Sequence, residues 1–551
     1  MKYKSYIFLI ITAASILCLL NSCSSEKTAS DTSQTVQGGV IKISCLGSLE
    51  NLDPQKIMFS TDWKAAGLLY EGLLEIGGHA DSLEPVLAKN WQRFDEGRRY
   101  ILELRDSVYF HDDPCFTNGR GRKFNAADVV RTFERIADKK TGCPNWHLFA
   151  GKIKGINEYR NGLSESISGI NILDSARVEF RLTRAYANFL KLLTTSSAYI
   201  IPHEAAAFYN ENFVRHPVGT GAFKLSSWKQ LERLSLIRHE NYWRRDNHGK
   251  RLPHLDKINI ELISNPVLRI SKFISGDLDI LEANSETFEN LKREMNSDEK
   301  FKLAGTQPGM TVRFFGFAMD KDTPLAKSRD LRKAIALAFE RNTIQPETNP
   351  FLVLAETFLP VLFLQNKLMK WHKFSLSAAK ETAAGSQSEY ENQEIVISSN
   401  LNAADIHVLQ SSLEKIGLNS RIEVNEVGYY KNIIENRPDI FRVSYYPSYP
   451  DPEEYYAVFY SKNPLNTNIT GYKNKEYDAL FEQISVELDE NKRQQIYVQL
   501  ETILKNDVPV LYLYSPAPAY IITSRVIKNM KVNIKTFDLS SLRLDTDNVQ
   551  K

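Results

Sequence analysis

Apolar positions along the chain follow two rhythms, one near 3.6 residues and one of two residues, and the switches between them mark the elements. The clearest stretch runs from Glu394 to Ser448. EIVISS reads as a buried strand, and the Ile406, Leu409, Leu413 and Ile416 that follow share one side of a helix stopped by Gly417. RIEVNEV, YYKNIIEN and IFRVSYY continue as strand, short helix and strand. This β-α-β-α-β alternation predicts parallel strands joined by right-handed crossovers. In open sheets of that kind a ligand sits beyond the carboxyl ends of the strands, where the loop from Pro447 to Pro452 lies.

Elsewhere the same reading places a strand at Val40 to Cys45 and a helix from Thr61 to Leu74. Strand character continues through Tyr100, Leu102 and Leu104, and again from Val178 to Leu182. Asn125 is a cap for a helix with Asp128 at its third position and Val129, Val130, Phe133, Ile136 and Ala137 on its apolar face. PVGTGAFKLSSW and LERLSLIRHENYW form a strand pair in which Gly219 and Gly221 are expected to supply special backbone angles. Leu331, Ala334, Ile335, Ala338 and Phe339 fall at helical spacing. Helices are also expected over Lys475 to Leu488 and Lys492 to Asn506, the second ended by Pro509. The last strand, VLYLYS, is expected to share a sheet with the opening GGVIKIS, so that the two ends of the chain build one discontinuous domain.

The N-terminus changes the picture from fold to compartment. Lys2 and Lys4 precede an uncharged apolar run from Ile7 to Leu20 that is too short to span a membrane comfortably, and Leu20-Asn21-Ser22-Cys23 follows. That is the pattern of a bacterial lipoprotein signal over residues 1–22, with Cys23 as the lipidated residue. Residues 23–37 are small and polar, with almost nothing to bury, and read as a disordered tether. About fifteen such residues reach roughly 20 Å by random-coil scaling. Removing the signal takes away two lysines, as many positive charges as the formal excess of +2 over the whole chain. Without a basic field, nucleic acid is not expected as a partner. The 551 residues, 42% hydrophobic and 25% charged, suit a soluble body of several domains. No later segment approaches an apolar 18-mer, so the lipid alone would be the anchor. Among Cys45, Cys115 and Cys143 at most one disulfide forms: either Cys115 pairs with Cys143 or, with at least equal weight, all three stay buried free thiols.

The chemistry of enzymes is missing. The chain holds no G-x-S-x-G, no G-x-x-x-x-G-K-[ST] and no G-x-G-x-x-G. His239-Glu240 lacks the second histidine of a zinc helix, and the ten histidines are scattered; His248 and His254 read as solvated loop residues. Asp112-Asp113 and Glu453-Glu454 lie in turn-rich stretches where solvation explains them. No catalysis, cofactor or metal is expected.

Several segments, in order, resemble solute-binding protein family 5, the extracytoplasmic components of peptide, nickel and oligosaccharide ABC importers. They are ENLDP, LLYEGLLE, LEPVLAKNWQ, GRKFNAADVVRTFER, PVGTGAFKLSSW, NYW, SGDLDI, RDLRKAIALAFERNTI, PSYPDPEEYY and GYKNKEYDALF, between Gly38 and Met530. The resemblance implies an α/β two-lobed clamshell with mixed sheets flanked by helices. Lobe I is expected from residues 38–58, 213–304 and 510–545, an inserted subdomain from 59–212, and lobe II from 305–509. It implies a monomeric, lipid-anchored periplasmic or extracytoplasmic receptor that closes over an oligopeptide or peptide-like solute and delivers it to ABC permease subunits. Within the same fold an oligosaccharide or metal chelate is the alternative ligand; a surface glycan-binding lipoprotein or a secreted enzyme is a more distant reading.

In peptide-binding members a strand ends in Trp-x-Ala-Asp, and that Asp holds the peptide's α-ammonium three positions before an acidic-Pro pair. Here Asp451-Pro452 sets the register and Tyr445-Tyr446-Pro447-Ser448 is the corresponding stretch, so Ser448 replaces the carboxylate. A charge-assisted hydrogen bond contributes roughly 1.5–3 kcal/mol, so ten- to hundredfold in affinity is at stake. Either Asp451 or Glu453 takes over, or the ligand lacks a free α-amine, which is the favoured reading. Tyr445, Tyr446 and Tyr449 offer aromatic faces and hydroxyls, although alternation turns only some of them inward. Arg442 is placed either to pair with a ligand carboxylate through a bidentate fork or to form a structural ion pair. Asp53, Tyr70 and Glu71 lie in segments that approach the cleft in the family's fold, while Gly221 and Trp243 look like framework.

Overall fold

The computed structural model describes residues 38–544 except 46–48, 59, 78–81, 284–286, 289, 292–299, 307–308, 345–351, 364–370, 385–393, 518, 528–530 and 533–536. The signal segment, Cys23 and the tether expected from the sequence lie outside the described residues.

Two mixed sheets organise the chain. The first has seven strands in the order Phe301–Thr306, Ala519–Thr523, Ile280–Ala283, Val40–Cys45, Lys257–Leu262, Arg233–Arg238 and Phe223–Lys229. Val40–Cys45 is its parallel centre, in register from Val40 against Lys257 to Cys45 against Leu262, and parallel also to Ile280–Ala283. The second has five strands in the order Ser420–Val424, Ile395–Ser399, Ile440–Tyr445, Val312–Phe317 and Val510–Tyr512. Its first three are parallel, as the β-α-β alternation requires, and the helix Ala404–Lys415 buries Ile406, Leu409 and Leu413 against them. Gly417, at φ 80°, ends that helix.

VLYLYS does not join the opening strand. Val510–Tyr512 pairs with Phe314–Gly316 in the second sheet, and Tyr514–Pro516 pairs with Leu352–Leu354. The strand that enters the first sheet is Ala519–Thr523, lodged between Ile280–Ala283 and Phe301–Thr306. The expected first-lobe segment 510–545 therefore begins too early. An unbroken apolar run carries no period from which its partner can be read.

A four-stranded antiparallel sheet, Ala88–Phe94, Arg99–Leu104, Arg177–Arg181 and Ile170–Asp174, stands in the chain between the strands of the first sheet. Its buried face and the helix Ala126–Ala137 share one core with the first sheet, whereas the second sheet has a core of its own. That helix starts where the sequence places it: Asn125 Oδ1 accepts from Ala127 N and Asp128 Oδ2 accepts from Asn125 N.

The helix expected over Thr61 to Leu74 stops earlier, at Ser60–Leu69, and Leu74–Ile76 is a strand. Leaving the helix frees the carbonyl of Leu69, which accepts from Gly221 N at 2.9 Å. Gly219 and Gly221 are needed for space, not for unusual angles. Neither has a positive φ, and a Cβ on either would collide with the Leu69 carbonyl.

In the second lobe the helix Arg329–Ala338 buries Leu331, Ala334, Ile335 and Ala338. From the same turn the buried Arg332 donates to the carbonyls of Leu325, Ala326, Asp507 and Val508. It thereby caps the helix Glu490–Asp507, which ends in the left-handed Val508 at φ 48°. Cys45, Cys115 and Cys143 are all free thiols, the second of the two alternatives, and Cys115 does not pair with Cys143. Among the described residues no helix is long and apolar enough to cross a membrane.

Candidate ligand cleft

The chain passes between the two sheets twice, from Thr306 to Val312 and from Tyr512 to Ala519. Strand register fixes how the sheets meet. Ala519 lies opposite both Thr306 and Ala283, so both passages leave the first sheet at the carboxyl end of Ile280–Ala283. Val312 lies opposite Tyr445, so the first passage enters the second sheet at the carboxyl end of Ile440–Tyr445. The carboxyl edges of both sets of parallel strands therefore face one another across a two-strand hinge, the position where open α/β sheets take ligands.

Side chains at these edges are aromatic and apolar. Tyr446, 45% exposed, follows the last parallel strand of the second lobe, and its ring lies 6.4 Å from that of Trp63 in the first. Further from the hinge the second lobe exposes Leu401, Val424, Tyr430 and Val427, the last at 92%. The first lobe exposes Met58 at 74%, Val267 at 75% and Leu268 after its own strand ends. Large apolar groups left uncovered at two facing edges mark a surface made to be covered. A small pocket opens at the first lobe's edge among Ser44, Cys45, Lys64, Leu68, Glu282 and Tyr520. Lys64 Nζ and Glu282 pair there at 2.5 Å, and burial pushes the Cys45 thiol up to about 11.

On one flank the cleft is closed by polar contacts. Asn188 Nδ2, from the segment that follows the four-stranded sheet, donates to Tyr449 OH and to Glu453 Oε2, each at 2.7 Å. Lys191 Nζ reaches Asp451 Oδ2 at 2.9 Å, and Arg493 Nη2 reaches Oδ1 at 2.8 Å. Burial pushes the Asp451 carboxyl up, but Arg493 and Lys191 outweigh it and hold the group down to about 2. Glu453, two residues on, is pushed up to about 7 by burial and by the charge of Asp451. Tyr449 is 3% exposed and packs with the first lobe's core.

The residues singled out from the sequence thus separate. Tyr446 faces the cleft. Tyr445 OH donates to the Glu454 carbonyl at 2.9 Å, and its ring packs on Tyr455. Ser448 is half-buried, and its N donates to Glu454 Oε2 at 3.0 Å, so the carboxylate beside it comes from Glu454 and not from Asp451 or Glu453. Asp451 is fully buried between its two cations. Arg442, 4% exposed, forms the structural ion pair of the two alternatives: Nε and Nη2 hold Asp405 at 2.9–3.0 Å, so the carboxylate in its fork is the protein's own.

Tyr70 is buried in the first core. Glu71 accepts from Thr220 Oγ1, Tyr242 OH and Trp243 Nε1 at 2.9–3.2 Å with Arg244 beside it, and burial outweighs these partners to push its carboxyl up. Asp53 is buried against Arg135. Sequence reasoning missed Trp63, Met58, Val267 and Val427; no period marks them, because each stands just off the end of an apolar strand or on the open side of a helix.

Among the described residues one group, Asp128, His203 and Glu204, has the spacing of metal ligands. Its two carboxylates are already held by Arg122, which donates to both.

Two sheets meeting by their carboxyl edges at a double-strand hinge, with a cleft between them, define a two-lobed solute-binding protein. The chain belongs to the bacterial extracellular solute-binding proteins, family 5, whose middle region matches residues 82–467. Among curated relatives it is 26% identical over 532 residues to the peptide transport periplasmic protein SapA of Salmonella typhimurium, covering 92% of this chain and 93% of that one. It is 24% identical to heme-binding protein A of Haemophilus influenzae, again over 92% and 93%. A similar fold is that of the periplasmic binding protein DppA of Helicobacter pylori in complex with the peptide STSA, with a TM-score of 0.74, 23% identity and coverage of 93% and 99%. Members of this family are substrate-binding proteins of transport.

Proposed function

We propose that this chain is a monomeric, lipid-anchored extracytoplasmic receptor. It captures a peptide-like solute between its lobes, hands it to the permease of an ABC importer and carries out no reaction of its own. The observation that carries this reading is the pair of facing carboxyl edges bridged by Trp63 and Tyr446. The relatives named for peptide transport support the class of solute. The apolar lip favours a solute with hydrophobic or aromatic side chains. A metal chelate or an oligosaccharide is the second reading; heme-binding protein A, similar over nearly the whole chain, favours the chelate.

Denaturing the purified soluble body and identifying the released small molecules by mass spectrometry tests the proposal. Short peptides are the expected finding, a porphyrin would replace the first reading with the second, and turnover of the recovered solute would defeat both. Membrane attachment is tested separately: Cys23→Ser should move the protein from the membrane fraction to the soluble one. The sequence register at Ser448 has its own test. Ser448→Asp, beside Glu454, should strengthen binding of free-amine peptides about tenfold in a calorimetric titration, and an unchanged affinity defeats the register.

A further inference from the structure

The floor of the cleft, where the second passage leaves the second sheet, holds two guanidinium groups and one carboxylate. Arg313 and Arg442 occupy neighbouring strands, opposite Ser444 and Phe315 respectively, and so stand diagonally on one face of the sheet at its hinge end. Tyr514, in the passage itself, ties them together: its hydroxyl accepts from Arg313 Nη1 at 3.0 Å and Arg442 Nη2 at 3.3 Å and donates to Asp405 Oδ2 at 3.2 Å. Asp405 is fully engaged by Arg442. Two positive charges thus share one negative charge.

Arg313 is the member left over. Among the described residues it pairs with no carboxylate, and its buried Nε has no partner. Its guanidinium lies 5.3 Å from the Tyr514 ring centroid, so the side chain is held in place without being neutralised. With Nη1 taken by Tyr514, the edge that remains is Nε with Nη2, which presents two parallel N–H bonds at the spacing of a carboxylate's oxygens. The half-exposed Tyr430, whose hydroxyl donates to the Ser444 carbonyl at 3.2 Å, stands near the same strand end.

We propose that Arg313 anchors a carboxylate of the bound solute, a site made by Arg313 and positioned by Tyr514 while Arg442 serves Asp405. The assignment rests on the reading of this cleft as the binding site for a peptide-like solute and adds an anionic end to its apolar body. A terminal carboxylate and an acidic side chain share this chemistry.

The test uses the full soluble protein and an equimolar library of random tetrapeptides, offered as free acids and as C-terminal amides, with bound members read by mass spectrometry and ranked by titration. Wild type should prefer acids over amides roughly ten- to a hundredfold. Arg313→Gln should bring that ratio to about one, and Arg313→Lys, which keeps the charge and loses the fork, should give an intermediate ratio. If the preference is set by acidic side chains and not by the terminus, amides containing Asp or Glu will be retained and will lose their advantage in the same variants.

A wild-type ratio of one with no enrichment of Asp- or Glu-containing amides, or preferences unchanged in Arg313→Gln, overturns the assignment and leaves the peptide reading standing. Should the protein retain a solute that is not a peptide, the peptide reading falls. The acid and methyl ester of that solute then replace the library, and a solute with no anionic group overturns Arg313 as well.

Discussion

The segment from Tyr445 to Glu453 borders two surfaces of opposite character. On one side Tyr449, Asp451 and Glu453 are tied to Asn188 and Lys191 from the segment after the four-stranded sheet, and Asp451 also to Arg493 within its own lobe. On the other, the half-exposed ring of Tyr446 lies 6.4 Å from that of Trp63. Buried polar groups in this loop serve the protein's own architecture, and its exposed aromatic ring is left for the solute that the proposed function places there. Burial costs a charge several kcal/mol unless its partners are close at hand, so charges in the framework arrive already matched.

The largest effect should come from breaking the polar side. Asp451→Ala removes the carboxylate between Lys191 and Arg493 and should cost about 3–5 kcal/mol of stability in urea unfolding. A loss under about 1 kcal/mol would mean that this side does not lock the lobes as argued. On the cleft side the effects reverse: Tyr446→Ala should weaken binding of the co-purified solute about tenfold or more in calorimetry, yet leave stability within about 0.5 kcal/mol. Loss of stability without loss of affinity would dissolve the distinction.

The smallest effect is one of pH. Asp451, held down to about 2 from an ordinary 3.8, contributes stability that is present above 3.8 and lost as pH falls through 2. Glu453 works the other way. Its carboxyl is raised from 4.5 to about 7, so between those values the folded protein binds more protons than the unfolded chain, and stability falls as pH rises. Glu453→Gln should flatten that part of a curve of unfolding midpoint against pH, while Glu501, pushed up to about 7 by burial, leaves the rest of the slope in place. An unaltered curve would mean that Glu453 ionises as an exposed group does.

Much of the fold was legible because period and direction are local properties. The alternation from Glu394 to Tyr445, the Asn125 cap and the Gly417 stop all follow from neighbouring residues. What is set by remote partners was not. VLYLYS could not announce that it pairs with Phe314–Gly316, nor could the run after Thr61 show that Gly221 would claim the carbonyl of Leu69.

The site divides the same way. A tyrosine-rich loop at a strand's carboxyl end is visible in sequence, and Tyr446 is its half-exposed member. Arg442 and Arg313 look alike on paper. Only the arrival of Asp405 from 37 residues upstream of Arg442 decides which of them is satisfied from within the chain.

The opening strand is fastened firmly at its start. Gly38 N donates to the His254 carbonyl, Gly39 N to Asp256 Oδ2, and Arg525, from the far end of the chain, donates to the Val40 carbonyl. A leash attached ahead of residue 38 would consequently be fastened to the seven-stranded half. The half containing Tyr446 and Arg313 would then reach a bilayer only through the seven-stranded half and the contacts between the two.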